Sequence, residues 1–255
     1  MSSVFHDLQP VAFITGSAAP RVGRAVAEAF HARGYRIVLH GHRHAQQAAE
    51  LAEQWSAKEP QTIAVAGDLS DEATVRRIFD EIVAAFGRID VLVNSAAIWE
   101  PKPLEEVTAA DVRRYFDINT VSTFLCAQQA GLQMVNQPRG GAIVNIGDWA
   151  VARPYRNYAA YFPSKGAIPT LTWTLAVELA ARNPQIRVNA VLPGPVMLPA
   201  DLPSEERAAA IAGTLVKREG NPQHVASAVV FLAEHDYITG VCLPVDGGRT
   251  IASEA

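Results

Sequence analysis

Seven short apolar runs, alternating with helical stretches, constrain this chain more than any other feature. They are Val11–Thr15, Arg36–His40, Thr62–Ala66, Val91–Val93, Ala142–Ile146, Ile186–Leu192 and Cys242–Val245. Most are rich in valine and isoleucine, with little alternation of apolar and polar residues. A strand with one wet face alternates; a continuous apolar run is covered on both faces. Helical composition marks Arg21–Arg33, Ala45–Lys58, Asp71–Phe86, Thr108–Asn136 with a break, Tyr158–Arg182 and His224–Ala233. This alternation predicts an α/β fold, a doubly wound parallel sheet of about seven strands with helices on both faces. No repeat, linker or low-complexity segment divides the 255 residues, so one domain over 1–255 is expected.

Local signals refine the elements. Ser70 is the expected N-cap of the 71–86 helix, whose stripe is Val75, Ile78, Phe79, Ile82, Val83 and Phe86. Thr108 and Asp111 fit a capping box. Pro163 and Pro169 fall in the 158–182 helix. Pro163 is tolerated if that helix begins near Tyr161. Pro169 is expected to kink it and to leave the Lys165 carbonyl without its usual partner.

Composition excludes several functions. Lys and Arg number 22 against 26 Asp and Glu, a net charge of −4 that argues against a nucleic-acid surface. Cys126 and Cys242 are too few for a disulfide framework or a structural metal site, and both read as buried thiols. The start, M-S-S-V-F-H-D-L-Q-P, has no leader character, and the first few and last few residues read as short tails. No stretch is apolar for long enough to span a membrane. A soluble cytoplasmic protein is expected.

The chemistry concentrates between Asp148 and Lys165. Tyr161 and Lys165 share one helix face, one turn apart. An ammonium beside a phenol favours the phenolate and draws its pKa below the usual value of about 10. Such a phenol can exchange a proton near neutral pH. Asp148 ends the fifth predicted strand, where the chain can turn its carboxyl toward the same spot. An isolated Tyr-x-x-x-Lys is equally an ordinary surface pair, so the far end of the chain matters.

There, Thr15-Gly16-Ser-Ala-Ala-Pro-Arg21-Val22-Gly23 joins the first strand to the first helix. Glycine after a strand lets the backbone approach a pyrophosphate, and the helix N-terminus supplies N–H donors. The turn has two glycines, where the dinucleotide fingerprint has three. Arg21 adds positive charge. The second strand then ends in His40-Gly41-His42-Arg43-His44, with no carboxylate to accept from a ribose 2′-OH. Arg43 can instead grip a 2′-phosphate, with His40, His42 and His44 as further expected cofactor contacts, which favours NADP(H) over NAD(H). The three histidines also suit a metal, but no nearby carboxylate or thiol completes a site, and none is expected.

With this turn, Asp68-Leu69, Asn94-Ser95-Ala96-Ala97, Asn119, Tyr161-x-x-x-Lys165 and Pro193-Gly194 in order, nearly the whole chain resembles the short-chain dehydrogenase/reductase family. The resemblance implies a Rossmann-like fold in a homotetramer or dimer. It places Asp68 and Leu69 by the adenine, and Asn94, Ser95 and Ala96 along the cofactor, with Pro193 and Gly194. It gives Asn119 a proton-relaying water, Lys165 the nicotinamide ribose and Tyr161 the role of acid. It pairs the helices near Val121–Asn136 and Tyr158–Arg182 across a two-fold axis. There Phe124, Leu125, Leu171, Trp173 and Leu175 offer more apolar surface than one sheet face covers.

One departure is informative. The family usually has serine at the Asp148 position. Asp148, Arg21 and the His-x-His-Arg run together resemble the pteridine reductases within that family, where a pterin lies between nicotinamide and an aromatic ring. Trp99 stands where that ring is expected, and it reads equally as a partly buried tryptophan of no special role. Reducing a C=N bond needs a proton at nitrogen, which a partly protonated Asp148 could share in supplying with Tyr161. The expected function is NADPH-dependent reduction of a dihydropterin or pterin-like ring. Arg21, Trp99, Asp148, Tyr161, Met197 and Leu198 are the candidate substrate contacts, within a 196–218 stretch expected to cover the pocket. The alternatives are a carbonyl reductase or alcohol dehydrogenase of the same fold, and a cofactor-binding regulatory module without turnover.

Overall fold

The computed structural model describes residues 4–5, 9–57 and 61–252. The outermost tail residues and the Lys58 end of the second predicted helix lie outside the described residues.

The strands are β1 Val11–Ile14, β2 Arg36–Gly41, β3 Thr62–Ala66, β4 Val91–Asn94, β5 Gly141–Ile146, β6 Ile186–Pro193 and β7 Cys242–Val245. They form one seven-stranded sheet in the order β3-β2-β1-β4-β5-β6-β7, every pairing parallel. The fold is thus Rossmann-like α/β. The helices are α1 Val22–His31, α2 Ala45–Ser56, α3 Glu72–Phe86, α4 Ala109–Phe116, α5 Ser122–Val135, α6 Tyr161–Ala180, α7 Ser204–Ala212 and α8 Pro222–Glu234. One face of the sheet packs on α1, α2 and α8 through residues such as Phe30, Leu51 and Val229. The other packs on α3, α5 and α6 through Phe79, Met134 and Leu179. Both faces are covered, which is why the strands read as unbroken apolar runs.

Strand order reverses between β1 and β4. In an open α/β sheet the crevice at the strands' carboxyl ends there takes the ligand. Thr15-Gly16 and Asn94-Ser95 meet at that crevice.

Four local expectations take definite form. Asp71, not Ser70, caps α3: its carboxylate accepts from the Thr74 N–H at 2.8 Å, while Ser70 donates to Asp68 at 2.7 Å. β6 continues through Pro193, which pairs with Val245. The β5 pairing has already stopped at Val191, so the missing proline N–H costs no ladder bond on that side. The break in the 108–136 region is a wider π turn, Asp117–Val121, between α4 and α5; the Thr108–Asp111 capping box is present. Finally, α6 runs through Pro169 as one helix, with Pro163 in its first turn. Thr120 of the π turn donates to the Ser164 carbonyl at 2.8 Å, tying down the backbone beside the gap that Pro169 makes.

Candidate active site

Asp148 follows β5 in extended conformation and caps the short turn Trp149–Val151, accepting the Ala150 N–H on Oδ1 at 2.8 Å. Its other oxygen accepts the Tyr161 hydroxyl at 2.6 Å. Tyr161 opens α6, and one turn later Lys165 donates from Nζ to the Ile146 carbonyl at 2.7 Å. Tyr161 and Lys165 are both about 95% buried.

Burial sets the protonation here. It raises the Asp148 pKa, opposed by the bonds from Tyr161 and Ala150 and by the Lys165 charge. It lowers Lys165 to about 8, opposed by Asp148. It also raises Tyr161 well above its ordinary value, reinforced by the neighbouring Asp148. This reverses the expectation from spacing alone. The phenol's close charged neighbour is a carboxylate that holds its proton, while the ammonium is turned to a backbone carbonyl. The site keeps a phenol in its O–H form, bonded to a carboxyl inclined toward its own acid form.

The loop after β4 closes over this corner. Asn119, in the π turn and fully buried, accepts the Ile98 N–H at 2.9 Å and donates to the Ile98 carbonyl and to Ser164 Oγ. Tyr115 holds Glu100, accepting from its N–H at 3.0 Å and donating to its carbonyl at 2.9 Å. Trp99 therefore sits between two anchored residues. It stacks on Tyr158, with ring centres 5.0 Å apart and planes 11° apart, and Tyr158 packs edge-on to Tyr161.

Across the crevice, the turn after β1 is close-packed. Gly16 has φ +65°, and a Cβ there would come within 2.9 Å of the Ala96 Cα. A Cβ on Gly23 would meet the Gly16 carbonyl at 2.8 Å and Ser95 Oγ at 3.1 Å. Thr15 Oγ1 accepts from the Ser95 and Ala96 N–H groups at 2.9 and 3.0 Å. Arg21 precedes α1 as its exposed N-cap, and its side chain makes no capping bond. The first N–H groups of α1 thus face the crevice end without a side-chain cap.

Comparison with known proteins agrees with this layout. A family profile described as Enoyl-(Acyl carrier protein) reductase matches residues 17–250. Pteridine reductase 1 of Leishmania tarentolae is 34% identical, over 95% of this chain and 96% of its own. Cis-4-hydroxycyclohexanecarboxylate dehydrogenase of Sinomonas cyclohexanicum is 36% identical, over 94% and 96%. Glucose 1-dehydrogenase of Gluconobacter oxydans is 33% identical, over 93% and 91%. The chain belongs to the short-chain dehydrogenase/reductase family.

Members of the short-chain dehydrogenase/reductase family are oxidoreductases that use nicotinamide cofactors, and this crevice fits one. Gly16 and Gly23 leave a cradle that side chains would fill, beside an uncapped helix start that suits a pyrophosphate. Leu69 is buried, and Asp68 accepts from Ser70 on both its N–H and hydroxyl. His42, Arg43 and His44 stand exposed after β2. Gly41 lets that loop fold back, since a Cβ there would meet the His44 carbonyl at 2.6 Å. Asp68 lies near enough to His42 for the two side chains to interact electrostatically.

Several predicted residues sit differently from expectation. His40 is buried under the turn, with both ring nitrogens engaged by backbone groups. β2 ends at Gly41, so His42 and His44 do not extend it. Among the described residues no group of three or more His, Cys, Asp or Glu is placed to hold a metal ion. Asn94 turns inward, donating to Asn145 at 3.0 Å. The side-chain amide of Asn119 is wholly engaged with Ile98 and Ser164, which leaves only its carbonyl, already accepting from Thr123. Gly194 packs on Asp246, where a Cβ would come within 2.4 Å of the backbone. Met197 is half exposed, and the Leu198 N–H is held by Glu219. A cavity of about 670 Å³ beside Tyr158 is lined by Leu104, Glu105 and residues of 151–163, not by Met197 or Leu198. Sequence reasoning missed Thr15, Tyr115, Tyr158 and Ser164. Thr15 and Ser164 directly precede chosen residues, a positional signal that was there to use.

Proposed function

We propose that this chain reduces a pterin-like C=N bond with NADPH. The observation that carries this reading is the buried Asp148 carboxyl, bonded at 2.6 Å to the Tyr161 hydroxyl. Serine in that place would orient a carbonyl oxygen. A carboxyl biased toward its acid form can hand on a proton, which a ring nitrogen needs as its carbon is reduced. The likeness to a pteridine reductase supports the same choice, and the anchored Trp99 offers a flat ring to a flat substrate.

When bound, the cofactor supplies the hydride. Lys165 lies beside the expected nicotinamide ribose and can donate to its hydroxyls. Tyr161 and Asp148 share a proton along their short bond, and with Asp148 in its acid form the pair could pass one to the substrate nitrogen, the carboxylate left behind taking up another from solvent. Trp99 orients the ring and excludes water. Arg21 and Arg43 offer guanidinium donors to the phosphates. No helix among the described residues is long and apolar enough to cross a membrane, which accords with a cytoplasmic enzyme.

Self-association belongs to the proposal. On α5 and α6 and just before them, Val121, Phe124, Leu132, Trp173 and Val177 are exposed, while Leu175 is core and Leu125 and Leu171 are partly covered. Such a patch suits a copy of itself in a tetramer; a monomeric mass by light scattering would contradict it.

The test of substrate class is kcat/KM for a dihydropterin and for a simple diketone, in the parent and in Asp148→Ser. The pterin reaction should fall by about 10²-fold, the diketone reaction far less, and NADPH affinity little. Equal pterin turnover in both proteins would return the chain to the carbonyl reductases.

A further inference from the structure

His40 is bonded to the turn after β1 through both its ring and its main chain, although the residue is only 3% exposed. Its Nδ1 accepts the Gly16 N–H at 3.1 Å, and its Nε2 lies 3.0 Å from the Gly67 carbonyl. A carbonyl only accepts, so Nε2 carries the proton. An amide N–H only donates, so Nδ1 is bare. The geometry therefore selects one neutral tautomer. The main chain of His40 adds to this: its N–H donates to Ser17 Oγ at 3.0 Å, and its carbonyl accepts from the Ser17 and Ala18 N–H groups. One residue ties together the chain ends after β1, β2 and β3.

We infer that His40 is a positioning residue for the nicotinamide cofactor, fixing the Gly16 peptide from beneath and acting only as a neutral imidazole. Gly16 stands at φ +65° with no room toward Ala96, so its peptide plane decides where the following N–H groups of the turn point. The Gly67 contact fixes the segment that leads into Asp68 and Leu69. Both walls of the adenosine end of the crevice thus depend on one ring. Protonating Nδ1 would set two N–H donors against each other, and the Gly16 peptide would have to rotate. The surroundings oppose that protonation. Phe13 packs its ring edge against the imidazole and the neighbouring His42 disfavours a second positive charge, while Asp68, the carboxylate near enough to be felt, works the other way. Burial lowers the His40 pKa to about 4, and the bond to Gly67 opposes that shift. The inference rests on family membership, and not on the choice of NADPH or of a pterin.

Two variants separate the two ring nitrogens. In His40→Asn the amide oxygen falls near the Nδ1 position and can accept from Gly16. In His40→Gln the amide reaches the Nε2 position and can serve Gly67 alone. Dissociation constants for NADPH and NADH, from quenching of protein fluorescence, should stay within about threefold of the parent in His40→Asn. In His40→Gln they should rise roughly tenfold for whichever cofactor the parent binds tighter. Without cofactor, amide hydrogen exchange at Gly16 should quicken in His40→Gln and not in His40→Asn. A merely structural histidine would weaken both variants alike. Equal shifts in both, no shift in either, or unchanged Gly16 exchange in His40→Gln would overturn the inference. If His40→Gln does not fold, the pH series decides. Cofactor affinity of the parent should decline as pH falls toward about 4 and that of His40→Asn should not; parallel profiles would overturn it.

Discussion

The two walls of the crevice are both built from buried polar groups, and they use them in opposite ways. On the turn wall, Thr15, Ser17, Arg24 and His40 direct their side-chain bonds to backbone atoms. On the catalytic wall, a bond of 2.6 Å joins two side chains, Tyr161 and Asp148, each with an exchangeable proton. The turn wall holds shape and the catalytic wall holds protons. Displaced proton affinities mark functional sites, and Asp148, Tyr161 and Lys165 carry them together. His40 is displaced as well, but both its nitrogens are satisfied by the main chain. A shifted pKa therefore marks chemistry only where the group still has something to exchange a proton with.

The largest expected effect tests the catalytic wall. Tyr161→Phe removes one hydroxyl and leaves the turn untouched. Turnover should fall by about 10³-fold, the middle of the range for a lost general acid, with the cofactor dissociation constant unchanged. Near-parental kcat would remove Tyr161 from the chemistry, and a matching loss of cofactor affinity would show that the walls are not separable.

A smaller effect tests the turn wall. Arg43 is exposed, so its grip on a 2′-phosphate would be partly screened. Arg43→Ala should weaken NADPH by about tenfold, within the worth of one charged hydrogen bond, and leave NADH and kcat alone. Equal affinity of the parent for both cofactors, or an unchanged preference in the variant, would sink the NADPH assignment. The Asp68 carboxylate beside His42 makes Arg43 the sharper choice of probe.

These walls were unequally legible in the sequence. Strand positions and the covering of both sheet faces followed from unbroken Val and Ile runs, because burial on both faces writes itself into every residue of a strand. Asp148, Tyr161 and Lys165 were legible by spacing, since one helical turn and one strand end place them. The direction of the Tyr161 shift was not, because it depends on which neighbour the phenol faces, and Lys165 turns to Ile146 instead. His40 was read as a ligand contact because sequence shows that a histidine ends β2, not which way its ring points. Asn119 was found for a family role, while its bonds to Ile98 and Ser164 needed the π turn that no periodicity announces.

The smallest expected effect is in pH, where stability and activity part on one wall and move together on the other. Burial brings the Lys165 pKa in the folded chain down to about 8, below its ordinary value of 10.5. Between those values the folded chain binds fewer protons than the unfolded one, so this group adds stability as pH rises. Activity should move the other way, because losing the ammonium above about pH 8 weakens the hold on the ribose. Burial brings the His40 pKa in the folded chain down to about 4, below its ordinary value of 6.5. Its contribution to stability is fully present above about pH 6.5 and is lost as pH falls toward about 4. There, cofactor affinity should fall together with stability. Opposed trends at the alkaline end and parallel trends at the acid end are the signature. To isolate the first, compare urea midpoints of the parent and Lys165→Met. Converted to free energies, their difference should change by no more than about 1.4 kcal/mol per pH unit, in favour of the parent as pH rises from about 8 to about 10. A difference that stays flat over that range would put the buried ammonium back at its ordinary affinity, and the alkaline loss of activity would then belong to another group.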